Sequence, residues 1–165
     1  MRLYLVRHGI ATDRLGPGIT RDADRPLTDE GRSEMKIVAR GLAKLKVKPD
    51  VVLSSPLVRA RETAEYLVQE FGCEFKLTDA LAPAVTASNV YKSIARYADA
   101  NQIFLVGHEP DMGMLAGQLL MAGPGFEFPF KKAAVCRIDV SDLPPTSAGI
   151  LKWYLPPKVF HCLAD

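Results

Sequence analysis

The sequence contains few cysteines, and their spacing matches no common cysteine motif. Only three of its 165 residues are cysteine (Cys73, Cys136 and Cys162), and no pair forms a C-x-x-C zinc motif. An odd number of widely separated thiols is typical of reduced cysteines in a cytoplasmic protein, where disulfides are rare. We therefore expect a cytoplasmic protein with no structural zinc site.

Long apolar runs and a strong net charge are also missing. Four apolar residues separate Arg2 from Arg7, which is fewer than a signal peptide needs, and no segment approaches the length of a transmembrane helix. This favours a protein with no membrane partner. The net charge is only +2, from 21 Lys+Arg and 19 Asp+Glu, which does not suggest a nucleic-acid partner but permits a local basic pocket.

Several common catalytic and nucleotide-binding motifs are absent as well. The chain has no G-x-x-x-x-G-K-[ST] and no G-x-G-x-x-G after its first strand, which argues against a P-loop nucleotidase and a dinucleotide enzyme. It has no G-x-S-x-G elbow. No arginine lies close enough to follow Cys73 in a C-x5-R phosphate loop. We therefore look for chemistry in other residue types.

What the sequence does have is an alternation of apolar strands and amphipathic helices. Its length suits one domain over residues 1–165, and its 48% apolar and 24% charged content is that of an ordinary globular protein. The patterns predict strands at 3–6, 50–55, 74–77, 102–108, 133–140 and 149–155, and helices at 27–45, from Pro56 to Gly72, at 88–98 and at 110–121. This order favours an α/β fold, a three-layer αβα sandwich with a mostly parallel central sheet and two late antiparallel strands.

Two of the predicted strands end in histidine. The segments "LYLVRHG" and "IFLVGHE" place His8 and His108 directly after apolar runs. The carboxyl ends of parallel strands share one sheet edge, so both histidines are expected there. The strand "VVLSSP" reaches the same edge, and Arg59 lies in the first turn of the helix that follows it. The expected cluster is Arg7, His8, Arg59 and His108.

This cluster suits an anionic phosphoryl group. Guanidinium groups match phosphate oxygens, and neutral imidazole is a competent nucleophile. Taken singly, each residue has an ordinary structural role, and helix periodicity alone leaves Arg61 nearly as good a pocket candidate as Arg59. His161, near the C-terminus, is interpreted as a surface residue. The prediction that all four residues lie at one sheet edge is what favours a catalytic role over these structural ones.

A metal site is the competing interpretation of the paired histidines. His8 and His108 can be drawn as ligands together with Asp13 or Glu109. No H-E-x-x-H or similar local spacing supports this, and Arg7 beside His8 would repel a cation. We therefore predict a reaction that uses no metal.

The motifs, taken together, resemble the histidine phosphatase superfamily. The segments "VRHG", "RPLTDEGRSEM", "SSPLVRARETA" and "VGHEP" occur in the family's order and span residues 1–122. The short length and the "RPLT" loop are most similar to the small bacterial phosphohistidine phosphatases of the SixA type. The resemblance implies a phosphoglycerate mutase-like fold, a phosphorylated nucleophile at His8, and a phosphate pocket of Arg7, Arg59 and His108. It favours Arg59 over Arg61 and implies no cofactor.

One departure from the family bears on the substrate. Larger members place an acidic proton donor after a mid-chain strand, but the corresponding "LTDALAPAVTAS" contains only Asp79. An alkoxide leaving group needs such a donor, whereas the imidazole of phosphohistidine is a better leaving group. Asp79, Glu109 and Asp13 stay open as donors.

The expected activity is therefore removal of phosphate from phosphohistidine on a partner protein, through a covalent phosphohistidine enzyme. The family likeness makes a phosphorelay domain or a sugar-transport phosphocarrier the candidate partner. One alternative is a phosphatase or mutase for a small phosphorylated metabolite. A more distant alternative is a phosphate-binding module without turnover.

Overall fold

The computed structural model describes residues 1–13, 18–121 and 128–164. Over these ranges the strands are β1 (Arg2–Arg7), β2 (Val51–Ser54), β3 (Glu74–Leu77), β4 (Gln102–Gly107), β5 (Val135–Asp139) and β6 (Ile150–Leu155). The α-helices are α1 (Asp29–Lys44), α2 (Val58–Phe71), α3 (Ala87–Ile94), α4 (Asp111–Met121) and α5 (Pro157–Ala164). Short 3₁₀ turns cover Asp22–Asp24, Asp79–Leu81 and Ala95–Tyr97.

The strands form one mixed sheet in the order β3-β2-β4-β1-β5-β6. The first four strands in this order are parallel, and β5 runs antiparallel to both β1 and β6. The predicted, mostly parallel sheet with two late antiparallel strands is therefore confirmed. Strands β1 and β4 lie at its centre, so their carboxyl ends are neighbours.

Helices cover both faces of the sheet. Successive side chains of a strand point to opposite faces. Tyr4 and Val6 accordingly pack with α1, α2 and α5, while Leu3 and Leu5 pack with α3 and α4. Burial on both faces explains why β1 is a continuous apolar run rather than an alternating one. The three-layer αβα sandwich predicted from the sequence is confirmed.

Helix boundaries follow local capping chemistry, with one correction. Thr28 caps α1, since its Oγ1 accepts the Gly31 N–H at 3.0 Å, and Gly72 ends α2 with a left-handed φ of 63°. The prediction that α2 begins at Pro56 is wrong. The helix begins at Val58, and the Ser55 hydroxyl accepts the Leu57 N–H at 3.3 Å and contacts His108 at 2.8 Å.

Helices α3 and α5 also differ from the predicted helices. Helix α3 ends at Ile94, and the remainder of the predicted 88–98 segment tightens into the 3₁₀ turn Ala95–Tyr97. Helix α5 was not predicted. It inserts Phe160, which is fully buried, against α1 at Gly41, where an added Cβ would lie 2.8 Å from the ring. None of the helices in the described ranges has both the length and the apolar character to cross a bilayer.

Candidate active site

The sheet register brings the two strand-end histidines together. In the parallel pairing of β1 with β4, Arg7 lies opposite Gly107, so His8 and His108 follow equivalent positions. The His8 N–H donates to the Gly107 carbonyl at 3.0 Å, and the two imidazole ring centroids are 5.1 Å apart. The expectation that both rings lie at one sheet edge thus matches the register of the two strands.

His8 is held in one tautomer by its neighbour in the chain. Its Nδ1 lies 2.7 Å from the Gly9 carbonyl oxygen, which can only accept, so Nδ1 carries the proton. Nε2 is left unprotonated and accepts from Arg59 Nε at 3.3 Å. Burial, with added repulsion from Arg59 and Arg7, lowers the pKa of His8 to about 4. The ring is therefore neutral at physiological pH, with the lone pair of Nε2 toward Arg59.

Arg59 reaches this position from the first turn of α2. Its side chain is 8% exposed, and its Nη1 and Nη2 donate to the backbone oxygen and to Oδ2 of Asp22 at 2.9 and 3.0 Å. Arg61 points to solvent and pairs with Glu65 at 3.6 Å. The structure therefore distinguishes two arginines that helix periodicity left nearly equal.

His108 is buried beside His8, with the two ring centroids 5.1 Å apart. Its Nε2 lies 2.8 Å from the Ser55 hydroxyl, and its buried Nδ1 has no hydrogen-bond partner within the described part of the chain. Burial, the neighbouring His8 and the Arg59 charge lower the pKa of His108 to about 3. A second neutral imidazole therefore stands beside the first.

Arg7 is oriented by a loop near the start of β5. Its Nη1 donates to the Phe130 carbonyl at 2.6 Å, and the Phe130 N–H donates to Glu109 Oε1 at 2.8 Å. Its Nε is buried and has no hydrogen-bond partner among the described residues. Glu109, one of the candidate proton donors, is thus engaged with the backbone segment that holds Arg7.

The remaining candidates lie at the periphery of the cluster. Asp79 is exposed and opens the 3₁₀ turn after β3, and Asp13 is exposed in the loop after β1. Neither hydrogen-bonds to Arg7, His8, Arg59 or His108 within the described ranges. His161 is exposed on α5. In residues 1–13, 18–121 and 128–164, no three His, Cys, Asp or Glu side chains group as metal ligands.

Comparisons with known proteins agree with the motifs. The family model of the histidine phosphatase superfamily (branch 1) matches residues 3–83. An uncharacterised protein of Picosynechococcus sp. is 38% identical over 138 residues, which cover 82% of each chain. The chain belongs to the histidine phosphatase superfamily.

Two further relatives of this histidine phosphatase superfamily member extend the likeness to the whole chain. Phosphohistidine phosphatase SixA of Escherichia coli K12 is 26% identical over 166 residues, covering 95% of this chain and 94% of that protein. The solved structure of the protein histidine phosphatase SixA with tungstate has a TM-score of 0.83 at 24% identity, covering 96% of this chain and 99% of that one. The predicted resemblance to the SixA type and the predicted fold are confirmed.

Sequence reasoning missed three residues that support this histidine phosphatase site. Thr63 accepts the Gly9 N–H at 3.0 Å and donates to the Arg59 carbonyl at 2.7 Å, so it ties α2 to the loop after β1. Its spacing of four from Arg59 on one helix was an available signal. Ser55 offered only its strand-end position, and Asp22 lies in a loop whose pattern gave no signal.

Proposed function

We propose that this protein removes the phosphoryl group from phosphohistidine on a partner protein, either a phosphorelay domain or a phosphocarrier. Membership of the histidine phosphatase superfamily supports phosphatase activity in general. The observation that carries the finer proposal is the neutral His8, whose Nδ1–H is held by Gly9 and whose Nε2 lies against Arg59. Three free cysteines support our placing the reaction in the cytoplasm.

In the first step, His8 Nε2 attacks phosphorus in line as the substrate's P–N bond breaks. The substrate histidine leaves with the electron pair of that bond, and His8 becomes a phosphorylated imidazolium that keeps its Nδ1 proton on the Gly9 carbonyl. Arg7, Arg59 and His108 hold the phosphoryl oxygens. Phosphoryl transfer depends mainly on such positioning and charge stabilisation, which two guanidinium groups in a buried site supply.

In the second step, water attacks phosphorus and His8 departs. The departing ring takes the electron pair of the breaking bond and already carries a proton on Nδ1, so it leaves as neutral imidazole. Inorganic phosphate is released, and no proton donor to the ring is needed. The hydrogen bond to Gly9 therefore serves both steps, since it fixes the tautomer for attack and retains the proton for departure.

The surroundings of the site support phosphohistidine over phosphate esters. An alkoxide is a strong base and leaves slowly without a carboxylic acid beside it. Asp79 is exposed and has no hydrogen bond or ion pair to the cluster in the described ranges, and Glu109 accepts a hydrogen bond from the Phe130 N–H. A leaving group that carries its own proton needs no carboxylic acid at this position. The likeness to E. coli phosphohistidine phosphatase SixA supports the same substrate class.

The test is phosphate release, in the presence of a chelator, from three substrates side by side. These are a phosphorylated phosphorelay domain, a phosphorylated phosphocarrier and a phosphoserine peptide. Release from a phosphohistidine protein alone would support the proposed substrate class and a reaction without metal. Release from the peptide at a comparable rate would overturn the substrate class in favour of a general ester phosphatase.

A separate variant tests the covalent mechanism. His8→Ala removes the attacking nitrogen, and we expect turnover to fall by roughly a thousandfold or more while the circular dichroism spectrum stays unchanged. Arg61→Ala is the matched control, because that side chain is exposed and pairs only with Glu65 among the contacts described. Turnover retained in His8→Ala would rule out His8 as the nucleophile.

A further inference from the structure

A carboxylate borders the candidate site at Arg59. Asp22 opens the 3₁₀ turn Asp22–Asp24 in the loop that precedes α1. Its Oδ2 accepts from Arg59 Nη2 at 3.0 Å, and its Oδ1 accepts from Arg25 Nη1 at 2.7 Å. The Asp22 side chain is 63% exposed, whereas that of Arg59 is 8% exposed. The carboxylate therefore lies on the solvent side of the guanidinium.

The guanidinium of Arg59 spans the distance between His8 and this carboxylate. Its Nε contacts the attacking Nε2 of His8 at 3.3 Å, and its two outer nitrogens contact Asp22 at 2.9 and 3.0 Å. Asp22 also acts electrostatically on His108. Asp22 and the attacking Nε2 thus lie on different sides of the Arg59 guanidinium. In an in-line transfer the leaving group departs on the side of phosphorus away from the attacking nitrogen, so a phosphoryl group bound along this guanidinium directs its leaving group toward Asp22.

Asp22 is poorly suited to donate a proton. A hydrogen bond from Arg25 and the charge of Arg59 lower the pKa of its carboxyl group below the ordinary range. Arg25 comes from its own loop, Arg59 from α2 and the neutral His108 from the end of β4, so two fixed cations face the carboxylate. An ionised carboxylate accepts hydrogen bonds only.

We propose that Asp22 accepts the N–H of the departing imidazole and so holds the substrate phosphohistidine as its imidazolium form. The proposal rests on the proposed function, since it concerns the leaving group of that reaction. In phosphohistidine one ring nitrogen carries phosphorus and the other carries the proton when the ring is cationic. When the P–N bond breaks, its electron pair goes to the ring, and neutral imidazole leaves with its proton in place.

Asp22 thereby does for the substrate ring what the Gly9 carbonyl does for His8. An adjacent negative charge favours the protonated ring and raises its pKa. The cationic ring is the better leaving group, because it departs neutral rather than as an anion. A phosphate ester offers no such N–H, and its leaving oxygen gains negative charge next to the carboxylate. Asp22 is therefore expected to increase the preference for phosphohistidine over esters.

The test compares Asp22→Asn with Asp24→Asn. The first change keeps the shape of the side chain and an oxygen for Arg59 but removes the charge. Asp24 belongs to the same 3₁₀ turn and pairs with Arg21 at 2.8 Å, with no hydrogen bond to Arg59 in the described structure, so it is the matched control. The substrates are a phosphohistidine protein and 4-nitrophenyl phosphate, whose phenolate leaves without a proton. Circular dichroism checks the fold of both variants.

We expect Asp22→Asn to lower the ratio of kcat/KM for phosphohistidine to kcat/KM for the ester by about tenfold or more. Asp24→Asn leaves that ratio unchanged. The alkaline limb of phosphohistidine turnover also moves to lower pH in Asp22→Asn, because the substrate ring loses its proton more readily without the carboxylate.

Two results would overturn the proposal. Equal losses on both substrates, with an unchanged pH profile, would mean that Asp22 only positions Arg59. No loss on either substrate would mean that it has no part in the reaction. Failure of the proposed function looks different, since the unmodified protein would then release phosphate from the ester but not from the phosphohistidine protein.

Discussion

Three of the four cluster residues, His8, His108 and Arg7, are each oriented by an uncharged neighbour, whereas Arg59 pairs with Asp22. The Gly9 carbonyl fixes the tautomer of His8, the Ser55 hydroxyl contacts His108, and the Phe130 carbonyl orients Arg7. Such contacts cost little to form once the backbone is in place, but they determine which atoms face the pocket. Replacing one of these neighbours is therefore expected to alter the position of a cluster side chain rather than to remove a reacting group.

Glu109 offers a direct test of this distinction between positioning and proton donation. The Glu109 carboxylate accepts the Phe130 N–H, and the Phe130 carbonyl accepts a hydrogen bond from Arg7. Glu109→Ala frees that loop, and we expect kcat/KM to fall about tenfold, mainly through KM. Glu109→Gln keeps an oxygen for the Phe130 N–H and is expected to retain activity. Steady-state kinetics on a phosphohistidine protein measure both values.

The glutamine variant decides between the two roles. A glutamine cannot donate the proton of a carboxylic acid to a leaving group. If Glu109 were the proton donor, Glu109→Gln would lose as much activity as Glu109→Ala. That result would return this residue to the list of candidate donors and remove it from the role proposed here.

At the scale of elements, strand patterns predict more than loop patterns do. Strands β1 and β4 are apolar on both faces because helices cover both, so their positions and their shared carboxyl edge followed from sequence. Asp22, in the loop before α1, is joined to α2 by its ion pair with Arg59, a contact between residues 37 positions apart. Helix α5 likewise depends on Phe160 meeting Gly41. Local sequence patterns do not predict contacts between residues so far apart in the chain.

Gly31 shows how an element and a loop constrain each other near the site. It lies in the first turn of α1, where a Cβ would stand 2.1 Å from the Ile10 carbonyl oxygen. Backbone on both sides leaves no flexible atom to move aside. We therefore expect Gly31→Ala to lower the free energy of unfolding by about 2 to 4 kcal/mol, measured by urea denaturation.

The matched control for Gly31→Ala is Ser33→Ala on the same helix, where the side chain is exposed. Changing an exposed residue in this way is expected to shift stability by no more than about 0.5 kcal/mol. A Gly31→Ala variant as stable as the Ser33→Ala variant would show that the backbone at Ile10 yields readily. In that case the close approach of Gly31 to Ile10 would not determine the position of α1.

On the scale of the whole molecule, the two buried histidines of the site lower the free energy of unfolding at acid pH. His8 and His108 are buried and neutral, with pKa values lowered to about 4 and about 3, whereas both titrate near 6.5 in the unfolded chain. Between these limits the unfolded state binds more protons than the folded state. The free energy of unfolding therefore falls as pH falls below about 6.5, by roughly 1.4 kcal/mol per pH unit for each histidine.

This dependence predicts a loss of about 2 kcal/mol or more in the free energy of unfolding between pH 7.0 and pH 5.5, measured by urea denaturation. His8→Asn and His108→Asn should each remove about half of the loss, because each leaves one buried imidazole. His161→Asn is the control and should leave the loss intact, since that side chain is exposed in the folded chain as well as in the unfolded one. Equal slopes in all three variants would contradict the argument, because the acid sensitivity would then come from groups outside the histidine pair. A reduction of the loss confined to the two site variants would mean that folding energy keeps the imidazoles neutral for nucleophilic attack, and that the protein loses stability at the pH where they would become charged.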